Sequence, residues 1–251
     1  MAKLEDIVNY LDEQLKISEI TDYSGALNGL QLHGAGPIEK VTSAVDAALP
    51  VIRDAVEMGS DLLIVHHGLF WAGAQRIEGA LYEKLKLAME AEMAIYSCHI
   101  PLDVHPQFGN NILLAKAIGL SNGSDFMEWQ GICTGLRFNV DMQRASLLEK
   151  IGEAVGGPVH LAPGGPLTVK NIGLVTGGAG SQVAAAAAAG IDTFITGEGQ
   201  HHTYTLAEEL GVNLIYAGHY ATETFGVKAL AAHLAEEFGT AHTFIDHPTG
   251  L

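Results

Sequence analysis

The chain has 251 residues, long enough for one large domain or two ordinary ones, and 48% of them are apolar, which excludes a disordered polypeptide. Thirteen Lys and Arg stand against 29 Asp and Glu, a formal charge of −16 that disfavours general binding to nucleic acid. No apolar run is long enough to span a bilayer, the acid-bearing N-terminus does not read as a signal or transit peptide, and two cysteines, Cys98 and Cys133, form no disulfide framework. The expected setting is therefore a reducing cytoplasm.

In chain order, Leu4, Ile7, Val8, Leu11 and Leu15 recur at helical spacing. A glycine-rich loop leads to a predicted strand at Val41–Val45 and a helix at Pro50–Met58, with Gly59 as its cap. A buried strand is expected at Asp61–Val65, a helix at Ala80–Ala91 and a strand at Met93–Cys98. The polar stretch Ser121–Asp125 suggests a domain boundary, giving domains 1–123 and 124–251, with the C-terminal helix free to pack back on the first. Strands are then expected at Ile132–Val140, Val169–Val175, Asp192–Thr196 and Asn213–Tyr216. Helices are expected at Ser146–Val155, Gln182–Ala189, Thr203–Leu210 and Glu223–Phe238. This alternation predicts an α/β fold with mixed, largely parallel sheets.

The two halves repeat each other. Gly59-Ser-Asp61 opens a strand that ends at His66-His67, and Gly190-Ile-Asp192 opens one that ends near Glu198. The next strands share Ile-Tyr-x-x-His-x-x-x-acid, which aligns His99 and Asp103 with His219 and Glu223. Two related α/β units follow from this pattern. Parallel sheets present ligands at the carboxyl ends of their strands. If the units face one another, a metal site lies in the cleft between them.

His66 and His67 follow an apolar strand, and neutral imidazole is a common ligand for transition metals. Neighbouring strand residues point to opposite faces, so both reach one site only where the strand ends. The i, i+4 pair His219 and Glu223 converges if Glu223 starts the last helix, although an acid at a helix N-terminus is favourable without metal. Asp103 lies in a proline- and glycine-bearing loop where a turn-forming aspartate is also at home, and His105 beside it is a ligand neighbour or a solvated residue.

Three imidazoles and two carboxylates exceed one four-ligand structural zinc. They suit two divalent ions about 3.5–4 Å apart, bridged by a carboxylate and a water or hydroxide. The mixed donors allow zinc, manganese, iron, cobalt or nickel. His99 and Glu198 are candidates for acid–base catalysis or for orienting a ligand imidazole. Phe70 and Trp71 offer an apolar wall or a stacking surface, with core packing the plainer reading. The glycines of Thr176–Ser181 read first as a tight turn, since no P-loop lysine follows. Cys98 reads as a buried small hydrophobe.

The segments HHGLFW (His66–Trp71), HIPLDVHPQFGNN (His99–Asn111), TGEGQHH (Thr196–His202), GHYATE (Gly218–Glu223) and NGLQL (Asn28–Leu32) resemble the Nif-three-like family and its YbgI-like branch. The resemblance spans nearly the whole chain in order. It implies a two-domain α/β fold, a homohexameric ring and a dinuclear metal centre held by His66, His67, Asp103, His219 and Glu223. It also implies the activity of a type 2 GTP cyclohydrolase I, a hydrolase that opens the guanine imidazole ring with a metal-activated hydroxide. Two other readings stand beside it: hydrolysis of another phosphate ester or amide, and a non-enzymatic metal-binding regulatory or assembly protein.

Overall fold

A computed structural model describes residues 2–71 and 73–251. The chain divides into two compact units, one formed by residues 1–102 and 226–247 and the other by residues 103–225 and 248–251.

The first unit contains β1 (Ala2–Lys3), α1 (Leu4–Gln14), β2 (Gly29–Leu32), β3 (Pro37–Ile38) and β4 (Lys40–Asp46). It continues through α2 (Leu49–Glu57), β5 (Leu62–His67), α3 (Gly79–Glu90) and β6 (Ala94–Ser97) into the single turn α4 (Ile100–Asp103). The second unit contains α5 (Asn110–Ala117), β7 (Ser124–Trp129), β8 (Ile132–Gln143), α6 (Arg144–Val155), β9 (His160–Pro163) and β10 (Thr168–Leu174). It ends with α7 (Val183–Ala188), β11 (Thr193–Thr196), α8 (His201–Leu210), β12 (Asn213–Tyr216) and the start of α9 (His219–Phe238). The rest of α9 and β13 (Ala241–Phe244) return to the first unit.

The first sheet runs β13-β4-β5-β6-β2, parallel except for β2 at its edge. The second runs β7-β8-β10-β11-β12-β9, with β10, β11 and β12 parallel and β9 antiparallel beside β12. Each unit thus contains a run of adjacent parallel strands, β13-β4-β5-β6 in the first and β10-β11-β12 in the second, with an antiparallel strand beside its last member. Consecutive residues of β11 and β12 feed two different cores. Ile195 and Ile215 pack with Phe138 and Ile172, whereas Phe194 and Leu214 pack with Val183 and Ala207. A sheet covered on both faces needs such continuous apolar strands. The first sheet buries Leu63, Val65 and Ile95 against Val51, Ile52 and Ala88 from α2 and α3.

The repeated Gly-x-Asp has the same structural use twice. Gly59 and Gly190 adopt positive φ, +68° and +77°, after α2 and α7. Asp61 Oδ2 accepts hydrogen bonds from the backbone N–H groups of Glu39 and Lys40, and Asp192 Oδ2 from those of Lys170 and Asn171. Each carboxylate therefore ties its own strand to the strand beside it, at the start of β4 in the first unit and at the irregularity within β10 in the second.

The contact boundary falls between Leu102 and Asp103, not at residue 123. The physical reason is α5, whose Leu114 and Ala115, with Ile118 and Leu120 after it, pack against Phe138, Leu147 and Ile151 of the second unit. The polar Ser121–Asp125 stretch leads into β7 instead of linking domains. Among the described residues, no helix is long and apolar enough to cross a membrane.

Candidate metal centre

In the first unit the site grows from the carboxyl ends of β5 and β6. His67 is the last residue of β5 and pairs with Asp46. The fully buried His66 ring lies 4.8 Å, centroid to centroid, from that of His67, and 4.9 Å from that of His99. One ring nitrogen from each of His66, His67 and His99 lies within 4.8 Å of the other two.

Each imidazole is held from behind. His66 Nδ1 lies 2.9 Å from the Cys98 carbonyl, His67 Nδ1 2.8 Å from Asp46 Oδ1 and His99 Nδ1 2.9 Å from Asp22 Oδ1. A carbonyl or ionised carboxylate only accepts, so Nδ1 carries the proton and Nε2 keeps its lone pair. Burial by itself would raise the Asp22 pKa. The hydrogen bond and charge of His99, with the Asn28 amide and the Tyr23 N–H, hold it below its usual value. Asn28 also accepts from the His99 backbone N–H at 2.7 Å. Trp71, half-exposed, meets His99 edge-on at 5.0 Å, so it walls the imidazoles instead of joining the core. Cys98 is fully buried and forms part of the core.

In the second unit, α9 begins at His219, four residues earlier than its apolar pattern suggests. His219 and the buried Glu223 are therefore both helical, one turn apart on the same face, with His219 Nε2 3.1 Å from Glu223 Oε1. This replaces the expected loop-and-helix-start arrangement. Glu198 Oε1 lies 3.0 Å from His219 Nδ1. Burial disfavours the charged form of His219, but hydrogen bonding and charge from Glu223, then Glu198, outweigh it and raise the pKa to about 9. This value belongs to the protein without metal.

The glycine turn after β10 makes room for these groups. Gly177 has φ +69°, and a β-carbon there would lie 2.3 Å from Glu223 Oε1. Its carbonyl accepts from the backbone N–H groups of Gly197 and Glu198, and its N–H donates to Thr222 Oγ1. The turn is thus packed into the structure that seats Glu198, as the tight turn expected of it.

Asp103 ends α4 and is not in an open loop. Its Oδ1 accepts from Asn110 Nδ2 at 2.8 Å and from Thr176 Oγ1 at 3.3 Å. His105 Nδ1 accepts from the N–H groups of Gln107 and Phe108, closing its own turn, and its ring stacks on Phe108.

The donor chemistry of both groups fits divalent transition metals: imidazole nitrogens oriented through Nδ1, with carboxylates beside them. The orienting residues Asp22, Asn28, Asp46 and Asn110 were not among the sequence candidates. Only Asn28, in NGLQL, and Asn110, in FGNN, lay inside a recognisable motif.

The model of the Duf34/NIF3 (NGG1p interacting factor 3) family matches residues 2–249. A Deinococcus radiodurans protein described as a GTP cyclohydrolase 1 type 2 homolog is 39% identical over 249 residues, covering 98% of this chain and 94% of its own. A Pyrococcus abyssi protein of the same description is 41% identical over 252 residues, covering 98% and 99%. Among solved structures, TTHA1606 from Thermus thermophilus superposes with a TM-score of 0.89 at 39% identity, covering 99% of this chain and 100% of its own. The protein ybgI, described as of unknown function, does so at 0.91 and 33%, with the same coverage.

Proposed function

The chain belongs to the Duf34/NIF3 family, and from that premise we propose that it is a dinuclear metal-dependent hydrolase that opens the guanine imidazole ring of GTP. Family membership, the three-imidazole group His66–His67–His99 and the His219–Glu223 pair support a dinuclear metal-dependent enzyme. GTP as substrate is suggested by the description of the relatives.

The proposed ligands are His66, His67, Asp103, His219 and Glu223. When bound, two divalent ions supply Lewis acidity and a water that ionises near neutral pH. The observation that carries the reading is that His66, His67, His99 and His219 each have Nδ1 against an acceptor, which leaves Nε2 as the donor atom. Asp46 and Glu198 hold His67 and His219 in that tautomer. His99, fixed by Asp22, is proposed to transfer a proton during ring opening. Glu198, the other catalytic candidate, orients His219.

Neither ligand group contains Lys or Arg to hold a triphosphate. That favours, as a second reading, hydrolysis of a less highly charged ester or amide. The test is turnover by protein loaded separately with zinc, manganese, iron, cobalt or nickel, against GTP and a phosphoester panel. GTP turnover that is lost on chelation and restored by metal is the expected result. Turnover that survives complete metal removal excludes the hydrolase reading, and turnover of another ester alone selects the second.

We also propose a homohexameric ring, on the family resemblance and on the exposed apolar Leu27, Ile77, Tyr82 and Met89. Light scattering that shows a monomer at micromolar concentration and neutral pH overturns it.

A further inference from the structure

We propose that a cavity of the second unit, at the carboxyl ends of β11 and β12, binds a planar nitrogen heterocycle whose N–H edge faces a carboxylate. Its volume is about 860 Å³, and its lining includes His160, Glu198, Tyr204 and Tyr216. That size lies within the roughly 300–1,000 Å³ of small-molecule clefts. The position is where parallel sheets place ligands. Naming the heterocycle as guanine rests on the GTP reading above; the cavity's chemistry does not.

Three rings form one wall. His160 starts β9 and pairs with Tyr216, the last residue of β12. The His160 ring centroid lies 5.7 Å from that of Tyr204 and 6.0 Å from that of Tyr216. Tyr216 is fixed by a 2.7 Å hydrogen bond between its hydroxyl and Thr203 Oγ1. Such faces attract flat π-systems and are indifferent to which one.

Selection comes from Glu198. It reaches the cavity from the β11–α8 loop while its Oε1 accepts from His219 Nδ1. A carboxylate has about four acceptor sites, so one such bond leaves capacity for two adjacent N–H donors of a ligand. Guanine presents that pair at N1 and the 2-amino group, and adenine does not. In this pose Glu198 joins the N1/2-amino edge of the base to a proposed metal ligand, with the imidazole ring at the opposite end of the purine. No Lys or Arg is among the residues lining the cavity.

The test is calorimetric titration of guanosine, which carries no phosphate, into metal-stripped protein. Guanosine is expected to bind more tightly than inosine, which lacks the 2-amino group, and adenosine more weakly than either. His160→Ala, at an exposed side chain, and Tyr204→Leu, which keeps apolar bulk, should each weaken guanosine roughly 5- to 100-fold, the range for losing a base–aromatic stack. Glu198→Gln should abolish the preference over adenosine. Absence of guanosine binding at millimolar concentration, equal binding of adenosine by the wild type, or unchanged affinity in folded His160→Ala and Tyr204→Leu proteins overturns the proposal. Metal-loaded wild type separates the two readings. Guanosine binding without GTP turnover leaves the cavity standing and removes the cyclohydrolase, whereas turnover with KM unchanged in His160→Ala does the reverse.

Discussion

Glu223 and Gly177 are in such close approach that Glu223 Oε1 occupies space a β-carbon on residue 177 would need, at 2.3 Å. The atoms such a β-carbon would meet are the Glu223 carboxylate and His219 Nε2, side-chain groups and not backbone. Gly177→Ala therefore displaces Glu223, and at φ +69° it also costs roughly 1–2 kcal/mol of backbone strain. The variant should fold with a lowered Tm and lose metal. Elemental analysis showing full occupancy would remove Glu223 from the ligands or show that the turn moves freely.

His219→Ala and Glu223→Ala are expected to lower metal content without unfolding the protein. Both lie on one face of α9, whose later turns keep their own core of Val227, Leu230 and Leu234. Glu198→Gln should weaken metal binding less, by roughly 10–100-fold, because it orients a ligand without being one. Circular dichroism with metal analysis checks both parts, and full occupancy in both alanine variants would exclude that pair.

Metal affinity should fall with pH below about 9. Without metal, His219 holds a proton up to that pH, against its burial, through Glu223 and Glu198. An ion at Nε2 must displace this proton, so binding releases it, and affinity drops by up to about tenfold per pH unit for this one group. In the metal-free protein the same raised pKa contributes stability that is fully present below about 6.5 and lost as pH rises through about 9. Chelator-competition titrations at pH 7, 8 and 9, with proton release measured, decide it; a flat profile contradicts the assignment.

Asp61→Ala and Asp192→Ala should destabilise their own units similarly. Each removes the acceptor of two backbone N–H groups of the neighbouring strand, a loss of about 1–3 kcal/mol for each group left unsatisfied, less where water replaces the carboxylate. Urea midpoints of the two variants, compared with wild type, test the equivalence. A loss in only one of them would mean that the repeat is not energetically symmetrical.

Local pattern was enough for the alternating elements and the repeat, and it nominated the five proposed ligands, because strand and helix periodicity and the residues at strand ends are properties of short segments. NGLQL was visible as a motif, but not that Asn28 binds both Asp22 and the His99 backbone. Asp22 and His99 are 77 residues apart, and Asp46 and His67 are 21 apart; nothing in spacing pairs them. Tertiary structure alone decided which carboxylate fixes which imidazole, where α9 begins, and that α5 joins the second core. Hydrogen-bond partners and core membership depend on which segments the sheets bring together. An acidic side chain in a turn has the same local sequence whether it meets water or the back of a histidine ring.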